Sequence, residues 1–257
     1  MKKVSENIYV ETGFQGCNPG FVTTSEGVVM IDTPQKSSDA AIFKEEIESR
    51  GEVRFIINTE YHLDHVSSNH LFPGTIVSHQ GTRDALKGQK FRLPEITFSH
   101  KMCLYSGEHT FELMHLPGHT PSEIAVYIPQ EKVLFTGDNI FYQVQTFLQE
   151  ALPFKWLESL EKMSEINADI LIPGHGEVCD RSYIKEQAAL ISEWIDAIRK
   201  AIDDGLSEKE AAGKLSSIDH YPMDVGIEGF RKALQRMNVG RLYRVLKEDG
   251  KEKTDHP

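Results

Sequence analysis

The chain of 257 residues, 39% hydrophobic and 26% charged, is long enough for a full core in one large domain or two small ones. Its formal net charge of −11 argues against nucleic acid and against an anionic membrane surface as partners; no apolar run approaches the roughly 18 residues of a membrane span, and the opening Met1–Ile8 lacks the apolar core of a secretory signal. Three scattered cysteines, Cys17, Cys103 and Cys179, form no CxxC pair, which predicts a reducing, cytoplasmic setting and leaves any metal to histidines and carboxylates.

In chain order, Ile8 and Val10 mark a strand within residues 7–14, followed by a glycine-rich loop from Gly13 to Gly20. Phe21–Thr24 and Gly27–Asp32 predict a hairpin turned at Ser25-Glu26-Gly27. Ser37 or Ser38 is placed to cap a helix running to Arg50, with Ile42, Phe43 and Ile47 inward and Gly51 as the stop. Val53–Ile57 reads as a buried strand, residues 69–72 as a short helical stretch, Thr75–Ser78 as a strand and Gln80–Leu86 as a short helix. Residues 88–110 carry apolar groups without a long period and are expected to wall a pocket. Strands return at Phe111–Leu116, Ile124–Ile128 and Val133–Phe135. Pro153 suits a first helical position and opens a helix with Trp156, Leu157, Leu160, Met163 and Ile166 inward. Residues 169–172 read as a short strand.

Beyond residue 180 the pattern is helical only. Ile184, Ala188, Ile191, Ile195, Ile198 and Ile202 form an amphipathic stripe. Ser207 is set to cap a second helix over Glu208–Leu215. A third spans 227–246 with Phe230, Leu234, Met237, Leu242 and Val245 inward, and the charged tail from Lys247 to Pro257 is expected to fray. Strands followed by a helix, twice over, predict an α/β (α+β) protein in which two sheets pack face to face with helices outside. Residues 1–180 form the expected catalytic domain. Residues 181–257 form a helical extension, docked on the same core or offering a face for a homodimer.

The chemistry concentrates in Asn58–His65, Asn-Thr-Glu-Tyr-His-Leu-Asp-His, directly after the Val53–Ile57 strand. Glu60, His62, Asp64 and His65 are all metal-ligand types, on a loop anchored by a rigid strand. Glu60 and His62 project to one side of extended chain, while Asp64 and His65 follow the turn and can aim at a second point, so one loop can serve two ions. Three more candidates follow strands: His119 in Leu116-Pro-Gly-His, Asp138 in Phe135-Thr-Gly-Asp and His175 in Ile172-Pro-Gly-His. Each has glycine immediately before it, which permits a sharp turn and close backbone approach. One Pro-Gly-His alone is usually just a turn; the four loops together are a specific constellation.

That constellation resembles the metallo-β-lactamase-fold hydrolase superfamily, in its glyoxalase-II-like branch, over residues 5–180. The family pattern is His-x-His-x-Asp-His after a strand, then single His, Asp and His ligands in later loops. The resemblance implies a four-layer αβ/βα sandwich with metals at one edge between the sheets. It implies one site from Glu60, His62 and His119, a second from Asp64, His65 and His175, and Asp138 bridging both. The departure is Glu60, which stands where the pattern has His, as in some members of one β-lactamase subclass. One added negative charge makes a bound water less acidic than in a His-containing relative.

The resemblance further implies two divalent ions, zinc first, with iron or manganese as alternatives, and a hydroxide between them that attacks an acyl carbon. Asp64 would both ligate and orient that hydroxide. A small-molecule thioester, lactone or amide (β-lactam) is the expected substrate class. Phe14, Cys17, Phe141, Tyr142 and residues 88–102 are the candidate pocket residues; Tyr61 is expected to pack beneath the ligand loop. His70, His79, His100, His109, His115 and His220 receive no metal role. Glu60, His62 and His119 make a two-histidine, one-carboxylate set that also suits iron(II), so an iron-dependent dioxygenase is the competing reading. A non-catalytic metal-containing binding module is the third.

Overall fold

The structure, a computed structural model, describes residues 1–215 and 218–254. The first sheet has seven strands in sequential order: β1 (Lys2–Lys3), β2 (Ile8–Val10), β3 (Gly20–Thr24), β4 (Gly27–Ile31), β5 (Val53–Ile57), β6 (Thr75–His79) and β7 (Ile96–Phe98). Pairing is antiparallel as far as β4 and parallel from β4 to β7. The second sheet runs β13-β12-β11-β10-β9-β8, built from β8 (Lys101–Ser106), β9 (His109–His115), β10 (Ile124–Ile128), β11 (Val133–Tyr142), β12 (Ile170–Gly176) and β13 (Cys179–Asp180).

Alternation along the strands decides which layer each side chain joins. In β4, Val29 and Ile31 point into the core between the sheets, where they meet Phe111, Val126 and Phe135. Val28 and Met30 point the other way, onto Phe43 and Ile47 of α1 (Ser37–Glu48). A strand buried on both faces reads as a continuous apolar run, as Gly27–Ile31 does; β5 departs from this only at exposed Arg54 and half-buried Phe55. The outer face of the second sheet is covered by α4 (Pro153–Ser164), α5 (Tyr183–Asp203) and α7 (Arg231–Thr254), which share one apolar cluster with β10, β11 and β12. The result is helix, sheet, sheet, helix, in agreement with the expected four layers. The shorter helices are α2 (Leu63–Val66), α3 (Gln80–Leu86) and α6 (Glu208–Lys214); Ser207 caps α6 in a full capping box with Glu210.

Several details differ from the sequence reading. α1 takes Lys36 at its N-cap with no side-chain cap, so neither Ser37 nor Ser38 serves. Ile42 is 56% exposed, because the sheet covers only the stripe of Ala40, Phe43 and Ile47. Residues 96–106 are not irregular: they form β7 and β8, the latter one arm of a β8–β9 hairpin, both short edge strands too mixed in polarity to show a period. Phe230 and Met237 are exposed on the last helical stretch. Its inward face carries Leu234, Gln235, Asn238, Val239 and Leu242, two of them polar and hydrogen-bonded, which an apolar count misplaces. α7 also runs through Lys247 to Thr254 instead of fraying there; lysine and glutamate are strong helix formers. The last three residues of the expected tail lie outside the described residues.

Candidate metal centre

All seven proposed ligands meet at one edge of the sandwich, where strands from both sheets end. Glu60 and His62 follow β5, and His62 is the N-cap of α2, whose single turn carries Asp64 and His65. His119 follows β9. Asp138 lies within β11 and His175 within β12, at a place where the parallel register between the two strands shifts. Glycine is needed at both: Gly137 has φ +53, and a Cβ there would sit 2.1 Å from Glu123 Oε1. A Cβ on Gly174 would sit 1.9 Å from Asp138 Oδ1.

Glu60 Oε1 lies 2.7 Å from His62 Nδ1, 3.5 Å from His65 Nε2 and 3.8 Å from His119 Nε2. Asp138 Oδ1 lies 3.2 Å from His65 Nε2, and its Oδ2 lies 3.2 Å from His175 Nε2 and 3.5 Å from His119 Nε2. Asp64 Oδ2 is 3.3 Å from His175 Nε2. Among the described residues four groups have ligand atoms within 4.8 Å of one another: three are drawn from the seven, namely Glu60, His62 and His119; Asp64, His65 and His175; and Glu60, His65 and Asp138; the fourth joins His65 to Cys17 and Asp32 behind it. Glu60 therefore reaches toward both halves of the centre, as Asp138 does. None of the histidines outside the loops enters these groups.

The outer nitrogen of each imidazole is engaged, which fixes what the inner one offers. Asp32, at the end of β4, accepts from His65 Nδ1 at 2.9 Å and from the Thr59 hydroxyl and amide. Its φ of +57 is left-handed, tolerable for aspartate and held by those three bonds. His119 Nδ1 donates to the Phe147 carbonyl at 2.8 Å, and His175 Nδ1 to Asp224 at 2.6 Å. His62 is reversed, with Nδ1 inward and Nε2 3.8 Å from Glu150. Glu150 also accepts from the Tyr61 hydroxyl. Such outer partners set the tautomer and aim of ligating histidines.

Electrostatically the cluster draws positive charge. Burial opposes protonation of His62, but the Glu60 carboxylate and Glu150 outweigh it and lift the imidazole to about 11. His65 and His175 also end well above the ordinary range: burial opposes this, and neighbouring carboxylates, Asp138 among them, prevail. Burial would raise Asp64, yet the imidazoles of His65 and His175 hold it at about 2. His119 is lowered by burial, which favours the neutral ring, and its Nε2 faces His62 Nδ1 at 3.2 Å. Glu123, buried behind Asp138, is pushed well up by burial and by Glu60 and Asp138, and it accepts the Asp138 amide at 2.9 Å.

The residues fit divalent cations. His65 Nε2 and Asp138 Oδ1 face each other, both buried and both without a hydrogen-bond partner. Buried polar atoms without a hydrogen-bond partner are rare in proteins, and a cation held by both would satisfy them. Four imidazoles with three carboxylates suit zinc, iron or manganese.

Above the centre lies a cleft of about 320 Å³, lined by Gln15, Gln35, Gln149, Leu63, Phe147 and Ile227 besides the ligands and Asp224. The pocket residues expected from sequence mostly lie elsewhere. Phe14 packs on the first sheet's outer core. Cys17 is buried, donates to the Asp64 carbonyl and has its thiol pushed up to about 12 by burial. Phe141 stacks on His175. Tyr142 lines a separate depression. His100 and Lys101 line another depression beside α4, so residues 88–102 do not wall this cleft. Tyr61 is half-buried, edge-on to His62.

Fold and centre together define a two-sheet α/β sandwich with a histidine–carboxylate cluster where its strands end. Residues 12–175 match the model of the metallo-beta-lactamase superfamily, and the chain belongs to that superfamily. It is 31% identical over 186 residues to the hydroxyacylglutathione hydrolase of Brucella anthropi, a match covering 69% of this chain and 65% of that protein. It is 27% identical over 213 residues to the metallo-beta-lactamase type 2 of Elizabethkingia meningoseptica, covering 76% and 85%. Among solved structures, a metallo-beta-lactamase from Pontibacter korlensis aligns with TM-score 0.68 at 21% identity over 74% of this chain and 97% of that one. The DIM-1 metallo-beta-lactamase gives 0.66 at 24% identity, over 74% and 95%. These two likenesses carry the fold.

Proposed function

We propose that the protein is a dinuclear metal-dependent hydrolase that cleaves an acyl bond in a small thioester, lactone or amide, the amides including β-lactams. The observation that carries this reading is the convergence of four imidazoles and three carboxylates beneath an open cleft, with two of their buried atoms, His65 Nε2 and Asp138 Oδ1, lacking a hydrogen-bond partner. Glu60, His62 and His119 would hold one ion and Asp64, His65 and His175 the other, with Asp138 between. Zinc is the favoured metal. Bound there, divalent ions polarise a carbonyl oxygen and make water nucleophilic at neutral pH.

The chain's own groups do the rest. Asp64 is the more open of the central carboxylates, its side chain 22% exposed against 4% for Asp138. It is the group an entering water meets, and its carboxylate would orient that water by accepting a hydrogen bond from it. The glutamine amides of the cleft hydrogen-bond neutral polar groups, while Leu63 and Ile227 take apolar ones. Among the described residues lining the cleft there is no lysine or arginine, which favours neutral acyl substrates over those needing a cation for a carboxylate. The three unpaired cysteines support a cytoplasmic setting; among the described residues no helix is long and apolar enough to cross a membrane.

A second reading has one observation in its favour: Glu60, His62 and His119 are a two-histidine, one-carboxylate group, which also suits iron(II) and oxygen chemistry. The deciding experiment is metal analysis of the purified protein with a panel of neutral thioesters, lactones and β-lactams, alongside oxygen uptake with a thiol substrate. Two ions and hydrolysis are expected. Iron with oxygen uptake and no hydrolysis would overturn the hydrolase.

A further inference from the structure

Asp224 sits between α6 and α7, outside the span matched by the superfamily model. Its Oδ2 accepts from His175 Nδ1 at 2.6 Å, and the two residues are only 7% and 5% exposed. Its Oδ1 accepts the Val225 amide at 2.7 Å, which fixes the plane of the carboxylate. The His175 ring is stacked parallel to Phe141, with centroids 5.2 Å apart and planes within 1°, and at 18° to Phe147. Stacking restrains tilt but leaves rotation within the ring plane. The bond to Asp224 removes that rotation, and Nε2 then points at Asp64 and Asp138.

We infer that Asp224 is a positioning residue for the second metal site, setting the tautomer and aim of His175, so that the segment Asp219–Ile227 belongs to the centre. The proposal rests on the metal reading above. The geometry repeats what Asp32 does for His65, but from a part of the chain beyond the sandwich. The segment is itself held against the loop that follows β11. The Gln145 amide donates to the Pro222 carbonyl at 2.8 Å, and Asp219 Oδ2 accepts the Thr146 amide at 2.8 Å. Ile227 then completes the wall of the cleft. A carboxylate on the outer nitrogen raises the basicity of a ligating imidazole as well as orienting it.

The test is metal affinity, read without turnover. Apo protein is titrated with zinc(II) against a chromophoric chelator, for the parent, Asp224→Ala and Asp224→Asn. Cobalt(II) titrations follow the visible ligand-field bands of each equivalent. In Asp224→Ala the second equivalent is expected to bind roughly 10–100-fold more weakly while the first is unchanged. Asp224→Asn, which keeps the acceptor but not the charge, should fall between, with a shifted cobalt band for the second equivalent only. Equal affinities for both equivalents in all three proteins would overturn the inference and leave the metal reading intact. Parallel weakening of both equivalents in the isosteric Asn variant would overturn it too, as a general structural effect. A parent that takes up no ion at all would overturn the metal reading, and this inference with it.

Discussion

Asn238, on the last helix, grips Leu148 from ninety residues away: its side-chain oxygen accepts the Leu148 amide at 2.8 Å, and its nitrogen donates to the Thr146 carbonyl at 2.8 Å. Between those two backbone groups lies Phe147, whose carbonyl holds His119. The C-terminal helix therefore fixes one ligand histidine through a loop, and Asp224 fixes another directly.

Replacing Asn238 with alanine leaves a buried amide and a buried carbonyl without partners. At roughly 1–3 kcal/mol for each unsatisfied group, the expected loss is about 2–6 kcal/mol by denaturant titration. Because the Phe147 carbonyl moves with the loop, kcat/KM should drop further than the remaining folded fraction explains. Unchanged activity in folded variant protein would show that the loop is not what places His119.

Metal removal should be felt in stability as well as in activity. An ion that binds only the folded state at a hundredfold excess over its Kd adds about 2.7 kcal/mol, or roughly 5–10 °C in Tm for a chain of this size. Calorimetry of chelator-treated protein with and without zinc(II) measures this directly. No shift would mean that His65 Nε2 and Asp138 Oδ1 do not receive a cation.

Glu60→His removes one negative charge from the centre. A more positive centre acidifies bound water more strongly, so the acid limb of the pH–rate profile is expected to move to lower pH. A limb that stays in place or moves up contradicts the charge argument.

At the far end of β6, His79 stacks on His115 with ring centroids 3.8 Å apart and planes within 9°, joining the two sheets. His79 Nδ1 accepts the Gly81 amide and Nε2 donates to the Ser99 carbonyl, a pattern only the neutral ring can make. Burial, then His115, lowers its pKa from 6.5. The unfolded chain therefore takes the proton more readily. Stability from this group is complete above the ordinary histidine range and is lost as pH falls through it toward the lower folded value. His79→Asn can keep the cap on Gly81 without titrating, so its Tm should fall less between about pH 7 and about pH 5 than that of the parent. Parallel curves would assign the acid sensitivity elsewhere.

The sequence by itself carried the strands buried on both faces, the α4 and α5 stripes and the four ligand loops. These are local patterns: a two- or 3.6-residue period, or a ligand type placed just after an apolar run with glycine before it. Asp32 was within reach of the same rule, since it too follows an apolar run, but with Ile31 and not glycine before it nothing singled it out. Glu150, Asp224 and Asn238 left no signal of any kind. A side chain that holds a histidine or a loop from outside needs only to arrive at the right point in space, and no spacing along the chain records that arrival. The same holds for Gln15, Gln35 and Gln149, which line the cleft from separate loops. Apolar periodicity also cannot show a polar residue facing inward, and Asn238, buried on the inner face of α7, is such a residue. Which residues can bind metal was written in the local pattern; what aims them, and what a substrate would touch, was decided only where distant segments met.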